Sequence, residues 1–315
     1  MTGAARVREA GRAPRGVRHW RPMPGHDPTA RPVGVFDSGV GGLTVLHELL
    51  VALPHEDFLY LGDTARFPYG PRPEAELQGV AAHCASELVA RDAKLLVVAC
   101  NTATAAALPA LQQRFGDPGE AHVDVLGVIG PESTQAAVHT RNGRVGVLAT
   151  EGTVASGAYE RALHQADPHL RVTSVACPEL APLIQSGATF EPEVVDVVRG
   201  YCAPLRAAGV DTVILGCTHY PLLRPMLQRM LGRDVAIVTA GAAIARRVES
   251  ALAARDLGAD PAREGAYRFL CTGDPESFRA QGTQFLQLPL GPVEHVDVAA
   301  AETVVMELPP RRAAA

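Results

Sequence analysis

Short apolar runs alternate with amphipathic segments along most of this chain of 315 residues. The apolar runs are mainly continuous and rich in branched side chains, as is typical of strands buried on both faces of a sheet. We predict strands at residues 33–36, 58–61, 94–99, 123–129, 145–149, 171–176, 212–216 and 235–240.

The segments between these runs have helical spacing. Residues 43–53 carry apolar side chains at positions 43, 46, 49, 50 and 53, which form one stripe on a helix. Residues 102–115 and 193–209 behave similarly. Alternation of strands and helices predicts an α/β fold with mainly parallel sheets and right-handed crossovers.

A weak internal repeat suggests how this α/β chain is divided. VGVLATEGTV begins 112 residues after VGVFDSGVGG, and Cys217, after a second apolar strand, stands 117 residues after Cys100. Although βα units resemble one another in general, two matched pairs at nearly one offset favour two pseudosymmetric domains. Ligands of open α/β sheets bind at the carboxyl ends of the strands, so we expect the site in the cleft between the domains. The expected first domain is 32–126 plus 236–300, and the second is 127–235.

Composition excludes several classes of function. Hydrophobic residues make up 47% and charged residues 20%, as expected of a soluble globular protein. The formal net charge of −5 gives no overall attraction for nucleic acid or an anionic membrane, and no apolar run is long enough to span a bilayer. Residues 1–31 are rich in Arg, Gly and Pro and lack a secretory signal. We expect a disordered tail there; a basic contact arm and a misassigned start remain alternatives.

Six cysteines are scattered without CxxC pairs or zinc spacing, so we expect neither a metal nor a disulfide framework. Four of them have no polar motif around them and are interpreted as structural: Cys84, Cys177, Cys202 and Cys271.

The other two cysteines follow apolar strands and precede polar residues. Cys100 is followed by Asn101 and Thr102 at a helix start, where the positive end of the helix would lower the pKa of a thiol. Cys217 is followed by Thr218 and His219, and the imidazole could exchange protons with the thiol. Matching positions in two domains favour a functional pair over two structural cysteines.

Two further loops follow predicted strands. Asp37 and Ser38 precede a glycine-rich turn, which is neither a dinucleotide fingerprint nor a P-loop. This turn could bind an anion, or Asp37 and Ser38 could simply cap the next helix. The loop that contains Tyr69 and Gly70 is rich in turn residues and is a weak signal alone.

Two symmetry-related thiols around one ligand suggest inversion of a carbon centre. A base on one face removes a proton while an acid on the other face supplies one, and the roles are exchanged after turnover. Both groups should therefore be of one kind. We expect no cofactor, because the sequence carries no cofactor-binding signature.

Taken together, the motifs resemble the glutamate racemase family within the aspartate/glutamate racemase superfamily. The resemblance covers about Val33 to Leu290 and is carried by FDSGVGGLTVL, YLGDTARFPYGPRP, ACNTATA, GVIGP, GVLATEGTV, LGCTHYPLL and FLCTGDPESF. It implies two pseudosymmetric α/β domains, a cytoplasmic and commonly dimeric enzyme, and D-glutamate as a product that feeds peptidoglycan synthesis.

The resemblance also implies roles for individual residues. Cys100 would deprotonate D-glutamate and Cys217 L-glutamate, with Asp37 and His219 assisting the two thiols. The implied substrate-binding residues are Asp37, Ser38, Tyr69, Gly70, Asn101, Thr102, Thr150, Thr218 and His219. One departure is Gln185, which stands about where the family often carries a glutamate. The tail before residue 32 is a second departure.

Three other functions stay open at this point. The chain could racemise another substrate, such as aspartate or a hydantoin. It could bind an acidic amino acid without chemistry, in which case both thiols would be dispensable. It could also regulate another protein, although only the basic tail favours that interpretation.

Overall fold

The computed structural model describes residues 27–116, 122–187 and 191–297. In these ranges the chain forms ten strands, and every strand pairing is parallel. The strands are β1 (Val33–Asp37), β2 (Phe58–Gly62), β3 (Leu95–Val98), β4 (Asp124–Gly127), β5 (Arg144–Ala149), β6 (Arg171–Ala176), β7 (Thr212–Gly216), β8 (Ala236–Val238), β9 (Tyr267–Cys271) and β10 (Val293–His295).

Helices connect the strands and cover the sheets. Eleven α-helices lie in the same ranges, joined by short 3₁₀ turns. They are α1 (Leu43–Ala52), α2 (Glu74–Ala90), α3 (Asn101–Phe115), α4 (Ile129–His139), α5 (Glu151–Ala155), α6 (Ala158–Ala166), α7 (Leu180–Gln185), α8 (Pro192–Ala207), α9 (Arg224–Leu231), α10 (Ala240–Ala254) and α11 (Pro275–Leu286).

The strands form two sheets. One has six strands in the order β10-β9-β2-β1-β3-β4, and the other has four in the order β6-β5-β7-β8. All residues of the central strands β1 and β7 are buried, because helices pack on both faces. Their continuous apolar sequence is therefore what a parallel interior strand requires.

The carboxyl ends of strands from both sheets meet at one crevice. Asp37 ends β1, and Cys100 follows β3 in the six-stranded sheet. Thr150 follows β5, and Cys217 follows β7 in the four-stranded sheet. The Oγ1 of Thr218 lies 3.3 Å from the Oδ1 of Asp37, so these two edges are in direct contact.

Sheet membership departs from the expected domain limits at two places. Residues 236–238 form β8, which pairs with β7 rather than returning to the six-stranded sheet. Gly127 is the last residue of β4 in the six-stranded sheet. A three-residue apolar strand fits an edge of either sheet, and its sequence does not decide between them. We propose that the second domain extends from residue 128 to 238.

The start of the described chain also differs from the expectation of a disordered tail at 1–31. Residues 1–26 lie outside the described ranges, but Pro28–Ala30 form a 3₁₀ turn capped by Asp27. The ammonium of Lys94 donates a 2.7 Å hydrogen bond to the carbonyl of Thr29, which ties this turn to the sheet. No helix among the described residues is long and apolar enough to cross a bilayer.

Candidate active site

Cys100 caps the start of α3. Its backbone is extended, and its Sγ accepts a hydrogen bond of 3.4 Å from the backbone N–H of Ala103. This is the helix start that the sequence predicts. The net effect on the thiol is the reverse of the expectation, because burial raises the pKa of Cys100 to about 12 and the charge of Asp37 adds to the rise. The loss of hydration raises the pKa of Cys100 by more than the positive end of α3 lowers it. A positively charged group beside the thiol would lower this pKa.

Cys217 lies in a different backbone setting. The residues after β7 do not begin an α-helix directly; a 3₁₀ turn at Tyr220–Leu223 comes first, followed by α9. The Sγ of Cys217 lies 3.8 Å from the Nδ1 of His219. Burial raises the pKa of Cys217 well above its ordinary value, and the charges of Cys100 and Asp37 raise it further. Cys217 is therefore, like Cys100, a thiol that burial holds in its protonated form.

Asp37 is fully buried at the end of β1, before the turn that leads into α1. One of its carboxylate oxygens accepts hydrogen bonds from the backbone N–H groups of Gly39, at 3.1 Å, and Gly42, at 3.0 Å. Burial raises the pKa of Asp37 to about 6, and these hydrogen bonds oppose the rise. Asp37 does not line the cavity that holds the thiols, but its negative charge acts on both of them by raising their pKa values.

The glycines of this turn are required by close approach. A Cβ added to Gly41 would lie 2.4 Å from the imidazole of His219 and 2.5 Å from the Oγ1 of Thr218. Such contacts are far shorter than real Cβ contacts, so only glycine lets the turn after β1 reach the loop after β7.

His219 is held on all sides. Its Nε2 lies 2.9 Å from the Oε1 of Gln185, and its ring packs between Phe67 and Phe285 at centroid distances of 5.3 and 5.2 Å. Burial lowers the pKa of His219 to about 3, so the ring is neutral at pH 7. Because the amide oxygen of Gln185 accepts a hydrogen bond from the Nε2–H group, Nδ1 carries no proton and its lone pair faces Cys217.

The remaining predicted residues line the same cavity. The hydroxyls of Thr102 and Thr150 lie 2.9 Å apart, which joins α3 to the loop after β5. Tyr69 donates a 2.6 Å hydrogen bond to Asp63, so its ring is fixed. The lining residues are Ser38, Phe67, Pro68, Tyr69, Gly70, Cys100, Asn101, Thr102, Thr150, Ala181, Cys217, Thr218 and His219.

This cavity is narrow, with a volume of about 20 Å³, close to the space that one water molecule needs. A wider groove of about 690 Å³ lies between α4, α6 and α10, but none of its lining residues is a thiol or an acid. Both thiols line the narrow cavity, whereas a cavity of about 200 Å³ beside His47 and Glu48 is lined by Cys217 but not by Cys100.

Sequence reasoning missed three polar residues around the site. Asp63 holds Tyr69, while Glu132 and Tyr159 hold Asn101 from behind. Asp63 lies in the YLGDTARFPYGPRP segment, which the sequence analysis identified, so its place near the site could have been predicted. Glu132 and Tyr159 stand in ordinary helices, and no local pattern distinguishes them. Among the described residues, no cluster of His, Cys, Asp and Glu has the arrangement of a metal site.

Comparisons with known proteins agree with this arrangement. The model of the family described as Asp/Glu/hydantoin racemase matches residues 42–264. The chain belongs to the Asp/Glu/hydantoin racemase family. Glutamate racemase from Corynebacterium glutamicum is 44% identical to this racemase over 268 residues, which cover 84% of this chain and 94% of that protein.

Solved structures give the same result for the fold of this racemase. A glutamate racemase isoform from Bacillus anthracis superposes with a TM-score of 0.80 at 39% identity, covering 85% of this chain and 98% of that one. Glutamate racemase from Francisella tularensis in complex with D-glutamate gives a TM-score of 0.78 at 33% identity, covering 86% and 98%. The predicted fold class of two pseudosymmetric α/β halves with mainly parallel sheets is confirmed.

Proposed function

We propose that this enzyme interconverts L-glutamate and D-glutamate by proton transfer at the α-carbon. The observation that carries the proposal is the pair of buried thiols, Cys100 and Cys217, which line one cavity from two sheets. Proteins named glutamate racemase match this chain over more than four fifths of its length. Its D-glutamate would supply peptidoglycan synthesis.

Each turnover breaks one C–H bond and forms another, with no change in oxidation state. In the L-to-D direction, the thiolate of Cys217 removes the α-proton and becomes a thiol. The thiol of Cys100 delivers its proton to the opposite face and becomes a thiolate. The reverse direction exchanges these roles. No cofactor takes part in the proposed reaction, because both transfers run between sulfur and carbon.

The enzyme must then restore the two thiols to their starting protonation states. We assign Asp37 to Cys100, because its carboxylate is buried beside that thiol and has a pKa near neutrality. We assign His219 to Cys217, because its free Nδ1 lies 3.8 Å from the sulfur. Gln185 positions this imidazole through the hydrogen bond at Nε2. The amide of Gln185 is neutral, so Gln185 does not supply a carboxylate that would favour the cationic form of the ring.

The polar lining would hold the substrate's three charged groups. Polar groups from both halves of the cavity surround the space beside the thiols. We assign the hydroxyl and N–H donors to the two carboxylates and the oxygen acceptors to the ammonium. The assigned residues are Asp37, Ser38, Tyr69, Gly70, Asn101, Thr102, Thr150, Thr218 and His219. We further propose a homodimer located in the cytoplasm, which light scattering and cell fractionation would test.

Chiral chromatography of the purified protein with L-glutamate and with L-aspartate tests the proposal. We expect D-glutamate to accumulate without added cofactor, and D-aspartate to form at least 100-fold more slowly. Faster conversion of aspartate would move the assignment to another acidic amino acid. Binding of glutamate without any conversion, by a folded protein, would leave a binding protein.

A further inference from the structure

Three buried polar side chains form a hydrogen-bonded cluster behind the first thiol. Asn101 begins α3, Glu132 lies in α4 and Tyr159 lies in α6, and each is at most 2% exposed. The Nδ2 of Asn101 donates to the Oε2 of Glu132 at 3.0 Å and to the hydroxyl of Tyr159 at 2.7 Å. That hydroxyl donates in turn to the Oε2 of Glu132. We call these three residues the Asn101 cluster.

The cluster fixes the orientation of the Asn101 side-chain amide, that is, where its Nδ2 and Oδ1 atoms point. Both N–H groups of Asn101 are used by Glu132 and Tyr159, and these two residues do not line the active-site cavity. Asn101 does line it, next to Cys100. Its other end, the carbonyl oxygen Oδ1, is therefore the end left for the cavity. The hydrogen bonds from Asn101 to Tyr159 and from Tyr159 to Glu132 form a chain with one direction, and such bonds strengthen each other.

That carbonyl oxygen has no partner. In the described part of the chain, the Oδ1 of Asn101 is buried and accepts no hydrogen bond. A buried acceptor without a donor is destabilising, and functional sites are where such atoms persist until a ligand satisfies them. Between the two thiols, the group of an amino acid substrate that donates hydrogen bonds is its α-ammonium.

We propose that Glu132 and Tyr159 are positioning residues that hold the amide of Asn101 with its oxygen toward the substrate's α-ammonium. This inference rests on the proposed function, since it names the contact for one group of the proposed substrate. Neither Glu132 nor Tyr159 touches the substrate. They act through Asn101, and they select amino acids over dicarboxylates that lack an ammonium.

The protonation of Glu132 agrees with this role. Burial raises the pKa of Glu132 to about 8, and the hydrogen bonds from Tyr159 and Asn101 lower it only in part. The carboxyl is therefore neutral at pH 7, and one of its oxygens accepts both hydrogen bonds. Glutamine keeps such an oxygen in a side chain of the same shape, which makes Glu132→Gln the conservative variant. Leucine removes the acceptor.

Comparing the binding of two ligands distinguishes a positioning role of Glu132 from a general contribution of Glu132 to the stability of the fold. Glutamate carries the α-ammonium, whereas glutarate has both carboxylates and lacks it. We expect Glu132→Leu to weaken calorimetric binding of glutamate at least tenfold, the usual size of a lost hydrogen bond to a charged group, and to leave glutarate binding within twofold. Glu132→Gln should restore glutamate binding. Glu160→Gln is the matched control, because Glu160 neighbours Tyr159 on α6 and hydrogen-bonds Ser174 instead.

A double-mutant cycle tests whether the effect passes through Asn101. In an Asn101→Ala background, we expect Glu132→Leu to cause no further change in the KM for glutamate. Equal losses in both backgrounds, or equal weakening of glutamate and glutarate, would overturn the inference. If Glu132→Leu does not fold, Tyr159→Phe removes a single oxygen of the cluster and completes the same cycle. Failure of the proposed function would appear separately, as absence of racemisation in the unmodified enzyme.

Discussion

The two thiols occupy equivalent places in two similar sheets, yet their surroundings differ. Cys100 caps an α-helix and lies beside a buried carboxyl group, Asp37. Cys217 precedes a 3₁₀ turn and lies beside a neutral imidazole, His219. A duplicated fold thus supplies the opposed positions that inversion needs, while the residue that adjusts each thiol has been chosen separately. The pKa values near 6 and near 3 give the two halves different responses to pH.

Removing either sulfur is the strongest test of this comparison. Cys100→Ser and Cys217→Ser keep the size of the side chain but replace the thiol by a hydroxyl that is a much weaker acid. We expect racemisation to fall about 1000-fold or more in each variant, since one of two essential proton transfers is lost. Calorimetry with glutamate provides the control and should show retained binding. Turnover within tenfold of the unmodified enzyme would contradict the paired-thiol mechanism.

Replacing the two assisting residues separates the halves by pH. With D-glutamate as substrate Cys100 is the base, and Asp37 must be ionised to accept its proton, so kcat/KM for D-glutamate should fall as the pH drops below about 6. Asp37→Asn should lower kcat/KM about 100-fold and remove that acidic limb. His219→Asn should lower kcat/KM but leave the limb in place, because His219 stays neutral down to about pH 3. Loss of the limb in the His219 variant would reverse the assignment.

The Gln185→Glu variant tests how His219 adjusts Cys217. A carboxylate about where the Oε1 of Gln185 now lies, 2.9 Å from the Nε2 of His219, would raise the imidazole pKa and favour its cationic form. A cation beside Cys217 stabilises its thiolate. With D-glutamate as substrate Cys217 is the acid, so the alkaline limb of kcat/KM for D-glutamate should move by about one pH unit to lower pH. Gln185→Met, which has no carboxylate, should not cause that shift. An unchanged profile in Gln185→Glu would mean that Gln185 does not act through His219.

Buried acids also predict how stability changes with pH. Asp37 and Glu132 have folded-state pKa values of about 6 and 8, above their ordinary values of 3.8 and 4.5. The unfolded chain therefore loses these protons first, and stability should fall as the pH rises from about 4 to 8. Glu132→Gln should flatten the decrease in Tm between pH 6 and 8. A decrease as steep as that of the unmodified enzyme would show that Glu132 is not buried in its neutral form.

Deletion of the chain before residue 27 serves as a control, because it should change the surroundings of neither Cys100 nor Cys217. We expect deletion of residues 1–26 to leave kcat, KM and Tm unchanged. Deletion of residues 1–31 removes the contact between Thr29 and Lys94 and the ion pair between Arg31 and Asp92, so Tm should fall slightly while turnover is kept. Loss of turnover in either truncation, in a folded protein, would give the tail a functional role.

The sequence predicted the parts of the molecule that depend on local pattern. The limits of the eight predicted strands agreed to within a residue or two, whereas β9 and β10 were not predicted. Cys100 was correctly expected to precede a helix start. The thiol pKa was predicted in the wrong direction, because burial depends on helices that are remote in sequence. The Asn101 cluster was missed for the same reason, since its three residues come from three helices. The sequence did not decide which sheet the strand at 236–238 joins, because its apolar residues fit either one, and it pairs with β7.

Deuterium incorporation during the reaction in D₂O tests the two-thiol mechanism most directly. L-glutamate would be incubated with the enzyme, and both enantiomers would be separated and analysed at low conversion. Because Cys217 removes a proton and Cys100 delivers a solvent deuteron, we expect α-deuterium in almost all D-glutamate and almost none in the remaining L-glutamate. D-glutamate that retains the original α-hydrogen, or equal labelling of both enantiomers, would contradict the account.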